Sequence, residues 1–449
     1  MPTDYIDLDP QFPDGESGRP YFPLHAGRPR VMVLGCGFGG LTFCRKFRGD
    51  AEVALIDRQN HHLFQPLLYQ VAMAGLAVPE VAEPIRSIFR GRKNVFTAMD
   101  EVESIDLNAR RVTLRHATLE YTHLVLALGG KTSYFGNDQW AEHAPGLKTV
   151  ADALRVRSRL LTSFEHAETE PDARERRRLM TVVVVGGGPT GVELAGTVAD
   201  LSRQIFRKDF RHINTTNTRV ILVDGSERLL ESYPPELSAS AKKQIEGLGV
   251  QVMLETRVTD IDAESVTLDT GERIETRNVL WGGGVVAPAL TRELGVELGP
   301  GGRVKVGPDL SVPGRPEVFV IGDIAWVTND KGDPVPGVAP AAMQMGKHVA
   351  KVLRQEIAAG ATPPDQRRKF AYWDKGTMAT IGRRRAVAWV GPLRFSGTLA
   401  WLAWAFIHLF FLVGFRNKIV TMVQWCFNYL AFRPGARILF SSDDAPQRV

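Results

Sequence analysis

The residues of this chain that could do chemistry come in two matched sets. Gly35, Gly37 and Gly40 follow the apolar run VMVL at 31–34 in the order G-x-G-x-x-G, with Phe38 and Gly39 inside the turn and Leu41, Phe43 and Cys44 at helical spacing beyond it. That pattern reads strand, tight turn, helix. Gly35 permits the turn, Gly37 lets backbone approach a pyrophosphate, Gly40 lets the helix pack on the strand, and phosphate rests at the positive helix N-terminus. Asp57 closes the next apolar strand, Glu52 to Ile56, at 57 − 35 = 22 positions past the first glycine, where a carboxylate accepts from ribose hydroxyls.

The pattern returns at Thr181 in TVVVVGGGPTGVELAG, with Gly186, Gly188 and Gly191 spaced alike and Pro189 and Thr190 in the turn. The second acid is Asp224, after the strand Val220 to Val223. It lies 224 − 186 = 38 positions on, and the helical, then polar stretch from Ala199 to Thr218 accounts for the excess over the usual ~20. The duplication reaches further, since Val112-Thr113-Leu114 and Val266-Thr267-Leu268 are 266 − 112 = 154 apart, as are the glycine pairs 129/130 and 283/284. Two dinucleotide sites in one chain call for electron transfer between two nucleotides. One is expected to be a bound flavin and the other a diffusing nicotinamide, because two nicotinamides have no reason to meet. Gly322-Asp323, ending the strand-like FVIGD, offers a carboxylate for a ribityl hydroxyl and favours flavin at the first site, although a strand followed by Gly-Asp also reads as a capped turn.

These residues need elements to hold them. HHLFQPLLYQVAMAGL, from His61, predicts a loop leading into a short helix over whatever the first turn binds. Residues 95–130 alternate as short strands. Residues 152–178 begin as an amphipathic helix and end in ETEPDARERRR, read as a solvated charge run at a domain boundary. Pro340 suits the first position of a helix running from Ala341 to Gln355. Met343 and Met345 on it read as packing residues. His61, His62, His348 and His408 have no metal-ligand spacing, so no metal is assigned.

Composition is that of a globular protein of 449 residues, enough for two or three domains. Of the net charge of +5, +4 lies in residues 394–449, which hold six Lys or Arg and two Asp. No base-stacking or groove-reading motif accompanies it, so nucleic acid is excluded as a partner and an anionic membrane surface fits better. Phe395 to Phe415 are 21 residues free of Lys, Arg, Asp and Glu. Basic residues at both ends of this run, and a following apolar stretch too short to return, point to a segment lying on the membrane. Trp401, Trp404, Trp425 and Tyr429 are expected at headgroup level. Cys36, Cys44 and Cys426 make no CxxC, so no redox dithiol is indicated and a reducing compartment is expected.

With these residues assembled, the chain resembles the type II NADH dehydrogenases, single-chain NADH:quinone oxidoreductases of the two-dinucleotide-binding-domain flavoproteins. The likeness covers about Arg30 to Ile438 through GCGFGG, FQPLLYQVA, GGGPTGVELAG, WGGGV, FVIGD, AAMQMGKHVA, DKGTMATIG and WLAWAFIHLFFLVGFRNK. It implies an α/β fold of two Rossmann-like domains, with the NADH domain inserted into a discontinuous FAD domain, and a C-terminal amphipathic helical segment that anchors to membrane lipid. The expected divisions are a tail at 1–28, FAD-binding parts at 29–150 and 285–392, an NADH-binding domain at 151–284 and the membrane segment at 393–449. By the resemblance FAD lies on Gly35, Gly37, Phe38, Gly39, Gly40, Asp57 and Gly129. It is closed by Gly322 and Asp323, with Gln65, Pro66, Leu67, Ala342 and Met343 beside it. NADH lies on Gly186, Gly188, Pro189, Thr190, Gly191 and Asp224, its nicotinamide near Glu193 and Gly284.

Glu193 pairs in relatives with a lysine matching Lys375, and the three catalytic candidates are Glu193, Lys375 and Gln344, the last donating to a quinone carbonyl. Without the resemblance, Glu193 reads as a first-turn acid favoured by the helix dipole and Lys375 as a loop lysine. Pro340 stands where the family often carries an earlier glutamine. The resemblance further implies a quinone acceptor without ion pumping, a homodimer, and peripheral attachment to the cytoplasmic face of the cell inner membrane. The other readings are a soluble reductase of a protein such as ferredoxin or rubredoxin, and an NADH-binding sensor.

Overall fold

A computed structural model describes residues 27–329, 332–431 and 437–439, with the side chains of 428–431 left aside. Most of the expected tail and the side chain of Tyr429 therefore lie outside the described residues.

The first apolar run becomes the strand Arg30–Leu34, buried on both faces as a central parallel strand must be. It pairs in parallel with Glu52–Asp57 on one side and His123–Leu126 on the other. Val95–Met99 extends the sheet beyond Glu52–Asp57, and Arg315–Val320 and Ser311–Val312 extend it at the opposite edge. One six-stranded sheet thus joins segments from both ends of the chain. The second unit repeats the first four places, in the order Val250–Met253, Arg219–Val223, Thr181–Val185, Asn278–Trp281, again with parallel pairing. Each unit also carries a three-stranded antiparallel sheet. Its middle strand is Arg111–Leu114 in the first and Ser265–Leu268 in the second, the two segments that hold the repeated Val-Thr-Leu.

The charge run does not stay a solvated tail. It folds as the helix Ala173–Leu179, whose start is capped by Asp172 Oδ1 accepting from Arg174 N at 2.9 Å. Arg178 meets Glu175 at 2.7 Å and Glu264 at 3.1 Å, and Arg277 meets Glu175 at 2.9 Å, so the charges close on one another. The helix expected from Pro340 spans Ala339–Ala359, one residue earlier and four later than read, and stops where Gly360 takes a φ of +96°.

A boundary at 392/393 cuts a hairpin. Leu393–Ser396 pairs with Arg385–Val390, which pairs with Thr377–Gly382, so the C-terminal unit starts some fifteen residues earlier than expected, at about Thr377. This small sheet presses on the helix Pro189–Asp200 so closely that a Cβ on Gly196 would stand 1.6 Å from the Ile381 carbonyl oxygen. The apolar run that follows is two helices, Thr398–Phe411 and Phe415–Ala431, broken at Gly414 (φ +88°). Fourteen residues reach only ~21 Å, and no helix among the described residues is long and apolar enough to cross a membrane. The large apolar side chains these two helices leave at least half exposed are Leu399, Leu402, Phe406, Phe410, Phe415, Val423 and Phe427, among the described residues. Trp404 is not at a headgroup level as read. It is buried, stacked on His408 at 4.4 Å and packed by Trp425 at 5.6 Å, because this helix face is the one that covers the core.

Candidate active site at the meeting of two glycine turns

Both glycine turns are built alike, atom for atom. Gly35 N donates to Ile56 O at 2.8 Å and Gly186 N to Val223 O at 2.8 Å, with φ +101° and +108°. Asp57 Oδ2 accepts from Cys36 N at 2.6 Å and Oδ1 from Gln59 N at 2.8 Å; Asp224 Oδ2 accepts from Gly187 N and Oδ1 from Ser226 N at 2.8 Å. Cβ atoms on Gly40 and Gly191 would stand 1.9 and 1.7 Å from the carbonyl oxygens of Gly35 and Gly186. Gly37 and Gly188 cap the two helices in extended geometry, and nothing lies within 4 Å of where their Cβ atoms would be. Each turn therefore leaves open space over a helix N-terminus, which is what a pyrophosphate requires.

Around the first turn the later chain closes in. Gly346 packs on Gly39 so tightly that its Cβ would be 2.4 Å from Gly39 O, and Gly39 faces Ile321 and Ala342. Gly322 N–H points at Met345 Sδ at 3.2 Å. Gly129 (φ +66°) has open space at its Cβ, while Gly130 is filled by Val285 and faces Asp323. Gln65 opens a short 3₁₀ turn with Pro66 and Leu67, its Nε2 donating to Lys148 O at 3.1 Å. Burial holds Lys148 below the usual ammonium range, opposed by Asp323. Burial likewise raises the Asp57 carboxyl above its usual range. The glycine turn, Asp57, the Gln65 turn, Asp323 and the start of the Ala339–Ala359 helix thus gather around one site, and the open space over Gly37 and Gly129 fits a flavin dinucleotide.

The second turn leads to the same place. Gly282 touches Gly191, Gly284 (φ +71°) follows, and Val285–Val286 pairs with Lys131–Thr132 beside Gly130. Glu193 stands half-buried in the second helix, where burial pushes its carboxyl up to about 8 although Thr380 N–H donates to it. Tyr233 Oη accepts from Thr377 Oγ1 at 2.9 Å, and Glu193 lies near enough to raise the Tyr233 hydroxyl further above its usual range, after burial. Tyr233 and Thr377 escaped sequence reasoning, since neither sits in a motif that marks it; only the DKGT turn hinted at Thr377.

Two candidates are placed otherwise than expected. Lys375 makes no ion pair with Glu193; it sits on an exposed turn with Nζ 5.3 Å over the Trp373 ring. Glu193 instead has the Thr380 amide, because the strand Thr377–Gly382 turns backbone toward the helix. Gln344 is engaged at both ends, its Nε2 donating to Trp373 O at 2.9 Å and its Oε1 accepting from Trp373 N at 3.0 Å. It holds the turn that carries Lys375. Arg257, which the sequence did not flag, lies with its Cγ 3.2 Å from the Cβ position of Gly225, next to Asp224. Arg228 is turned away onto the carbonyls of Tyr233 and Glu231, both at 2.7 Å.

Comparison with known proteins agrees with this architecture at two levels. Residues 29–346 match the family described as pyridine nucleotide-disulphide oxidoreductase, and the chain belongs to it. Residues 374–434 match the NDH2 C-terminal domain, which begins at the small sheet rather than after it. The type II NADH:quinone oxidoreductase Ndh of Mycobacterium tuberculosis is 44% identical over 421 residues, covering 91% of this chain and 89% of its own. The chain is therefore a member of the type II NADH:quinone oxidoreductases. A mitochondrial internal alternative NAD(P)H-ubiquinone oxidoreductase of Arabidopsis thaliana is 29% identical over 96% of this chain and 89% of its own. The structure of NDH2 from Plasmodium falciparum in complex with NADH superposes with a TM-score of 0.82 at 19% identity, covering 92% of this chain and all of that one, and shows a common fold.

Proposed function

We propose that this protein is an FAD-dependent NADH:quinone oxidoreductase working at a membrane surface without pumping ions. The observation that carries the reading is the pair of acid-braced glycine turns, one packed by later chain at Gly39 and the other with its Pro189 exposed, that converge at Gly130, Gly284 and Asp323. The packed turn suits a resident cofactor and the other a cosubstrate that exchanges at every turnover. Bound in the first cradle, FAD supplies the two-electron relay between nicotinamide and quinone. The protein's part is to position and to exclude water. Asp57 orients the first adenosine ribose and Asp224 the second, the two helix N-termini neutralise pyrophosphate, and Gln344 fixes the Trp373–Lys375 turn at the acceptor side. Quinol formation from NADH consumes one proton beyond the hydride, and Glu193, half-buried with its carboxyl pushed up to about 8, is an acid able to give it.

The exposed Leu and Phe face of the helices Thr398–Phe411 and Phe415–Ala431 suits immersion in lipid, with Lys418 and Arg416 at the polar level. Trp425 Nε1 donates to Gln70 Oε1 at 2.8 Å, and Phe64 meets His408 edge-on at 6.3 Å, so the opposite face is docked on the residues that flank Gln65–Leu67. A lipid-dissolved quinone would then enter beside the flavin. On this reading residues 29–150 and from 285 to about 373 form the FAD domain, 151–284 the NADH domain and the remainder the membrane unit, in a homodimer on the cytoplasmic face of the membrane. The test is purified protein carrying yellow flavin. NADH should bleach it anaerobically and a short-chain quinone should restore the colour; bleaching restored only by ferredoxin or rubredoxin would overturn the quinone assignment.

A further inference from the structure

Phe135 is the residue that neither the fold nor the reading so far explains. It has a φ of +54° and is 71% exposed. A bulky side chain in the left-handed region is an outlier, and such strain persists only where surrounding structure over-determines it. The ring gains little from packing in return. Among the described residues its one near aromatic ring contact is Trp281, at 6.3 Å between centroids.

The surroundings hold it in place. Phe135 N donates to Ser133 Oγ at 3.2 Å, and Ser133 N donates to Gly284 O at 3.3 Å. Trp281 Nε1 donates to both Ser133 O at 2.8 Å and Gly283 O at 2.6 Å, pinning the loop to the end of the second sheet. On one side Tyr134 is buried with its hydroxyl on Ala144 O at 2.8 Å, and on the other Gly136 takes a φ of +94°. The result is a phenyl ring held out at Gly284, where a Cβ would stand 2.8 Å from Phe135 Cζ.

Gly284 is the far end of the second nucleotide site. The adenosine ribose belongs at Asp224 and the pyrophosphate at Gly186–Gly188, and the chain then passes Gly282 to Gly284 toward Gly130 and Asp323. The half of the dinucleotide that reaches Gly284 is the nicotinamide riboside. We propose that Phe135 is the apolar wall against which the nicotinamide riboside half of NADH closes, so that the exposed ring becomes covered when the cosubstrate binds. This rests on the assignment of NADH to the second turn.

The test compares Phe135→Gly and Phe135→Tyr with the unaltered holoenzyme, in anaerobic flavin bleaching over a range of NADH concentrations, in reoxidation by a short-chain quinone and in thermal unfolding. Phe135→Gly should raise the half-saturating NADH concentration about fivefold to tenfold, as loss of one aromatic contact predicts. It should weaken the long-wavelength charge-transfer band of NAD⁺ on the reduced enzyme. Flavin content and reoxidation should be unchanged, and Tm unchanged or higher because glycine relieves the positive φ. Phe135→Tyr should restore the NADH dependence. Equal NADH dependence in Phe135→Gly and the unaltered enzyme overturns the proposal and leaves the ring to another partner. A lowered Tm with lost flavin overturns it in favour of a structural role. Failure of NADH to bleach the unaltered enzyme would instead remove the underlying assignment.

Discussion

The two glycine turns share every backbone and carboxylate hydrogen bond described above and differ in what lies over them. Gly39 is walled in by Ile321, Ala342 and Gly346, all more than 280 positions later in the chain, and Phe38 is flanked by His62 at 5.3 Å and Phe64 at 5.6 Å. The corresponding Pro189 is exposed. On the proposed assignment, identical chemistry for holding a pyrophosphate serves two kinetic purposes, and the covering, not the motif, separates a cofactor that stays from one that leaves. His62 belongs to the covered side: its Nδ1 lies 2.8 Å from Cys36 O and burial brings its pKa down to about 4, so it stays neutral there at physiological pH.

The sharpest way to break this contrast is to place a methyl group in each turn. Gly40→Ala forces a backbone shift under the first site and should give colourless, less stable protein, by about 1–3 kcal/mol or more. Gly191→Ala should stay yellow yet lose NADH-driven bleaching by roughly 100-fold, the cost of about 1 Å of misplacement. Flavin loss in both, measured by absorbance after gel filtration, would mean that the sites are not separable. Next in size is nucleotide choice. Asp224→Ser should cut the preference for NADH over NADPH in kcat/KM by at least about tenfold, since a carboxylate repels a 2′-phosphate and Arg257 lies beside it; adding Arg257→Ala should remove the gain in NADPH use.

A smaller effect is expected at the acceptor side. Gln344→Ala removes two hydrogen bonds to Trp373, about 1 kcal/mol each, and should slow quinone-driven reoxidation several-fold while stopped-flow bleaching by NADH stays nearly intact. The subtlest test is of pH. Because burial raises Glu193 from 4.5 to about 8, the folded state holds a proton that the unfolded chain releases, and Glu193 costs the fold progressively more as pH climbs through that interval. Tm of the unaltered protein should therefore fall relative to Glu193→Gln between about pH 5 and 8, and a constant difference would mean that Glu193 is ionised throughout.

Much of this was legible in the residues because glycine spacing and strand-ending acids are local, and the repeat exposed the second site by likeness to the first. What stayed hidden depends on contacts between distant segments. Glycine spacing is silent on which turn is covered, since Gly346 meets Gly39 only in the fold. The charge run at 168–178 read as solvated because Glu264 and Arg277, which help to neutralise it, lie about a hundred positions on. Trp404 read as interfacial, yet the docking of its helix on Tyr69 and Trp425 buries it. Lys375 could be placed only by likeness, and cation–π contact with Trp373, two residues away, proved the nearer option.

The contact between Gly39 and Gly346 also sets an order of events during synthesis. Residues 346 − 39 = 307 apart in the chain must meet before the first cradle has a roof. The four-stranded sheet at 181–281 is contiguous and can close while the rest is still on the ribosome. The module nearer the start of the message is therefore the last to be finished, and it waits, strands in hand, for a partner helix some three quarters of the way along. On the proposed assignment, loading of the prosthetic group then comes late: a truncated or stalled product would carry a complete nicotinamide fold and no lasting flavin, and so would be unable to draw electrons from the NADH pool.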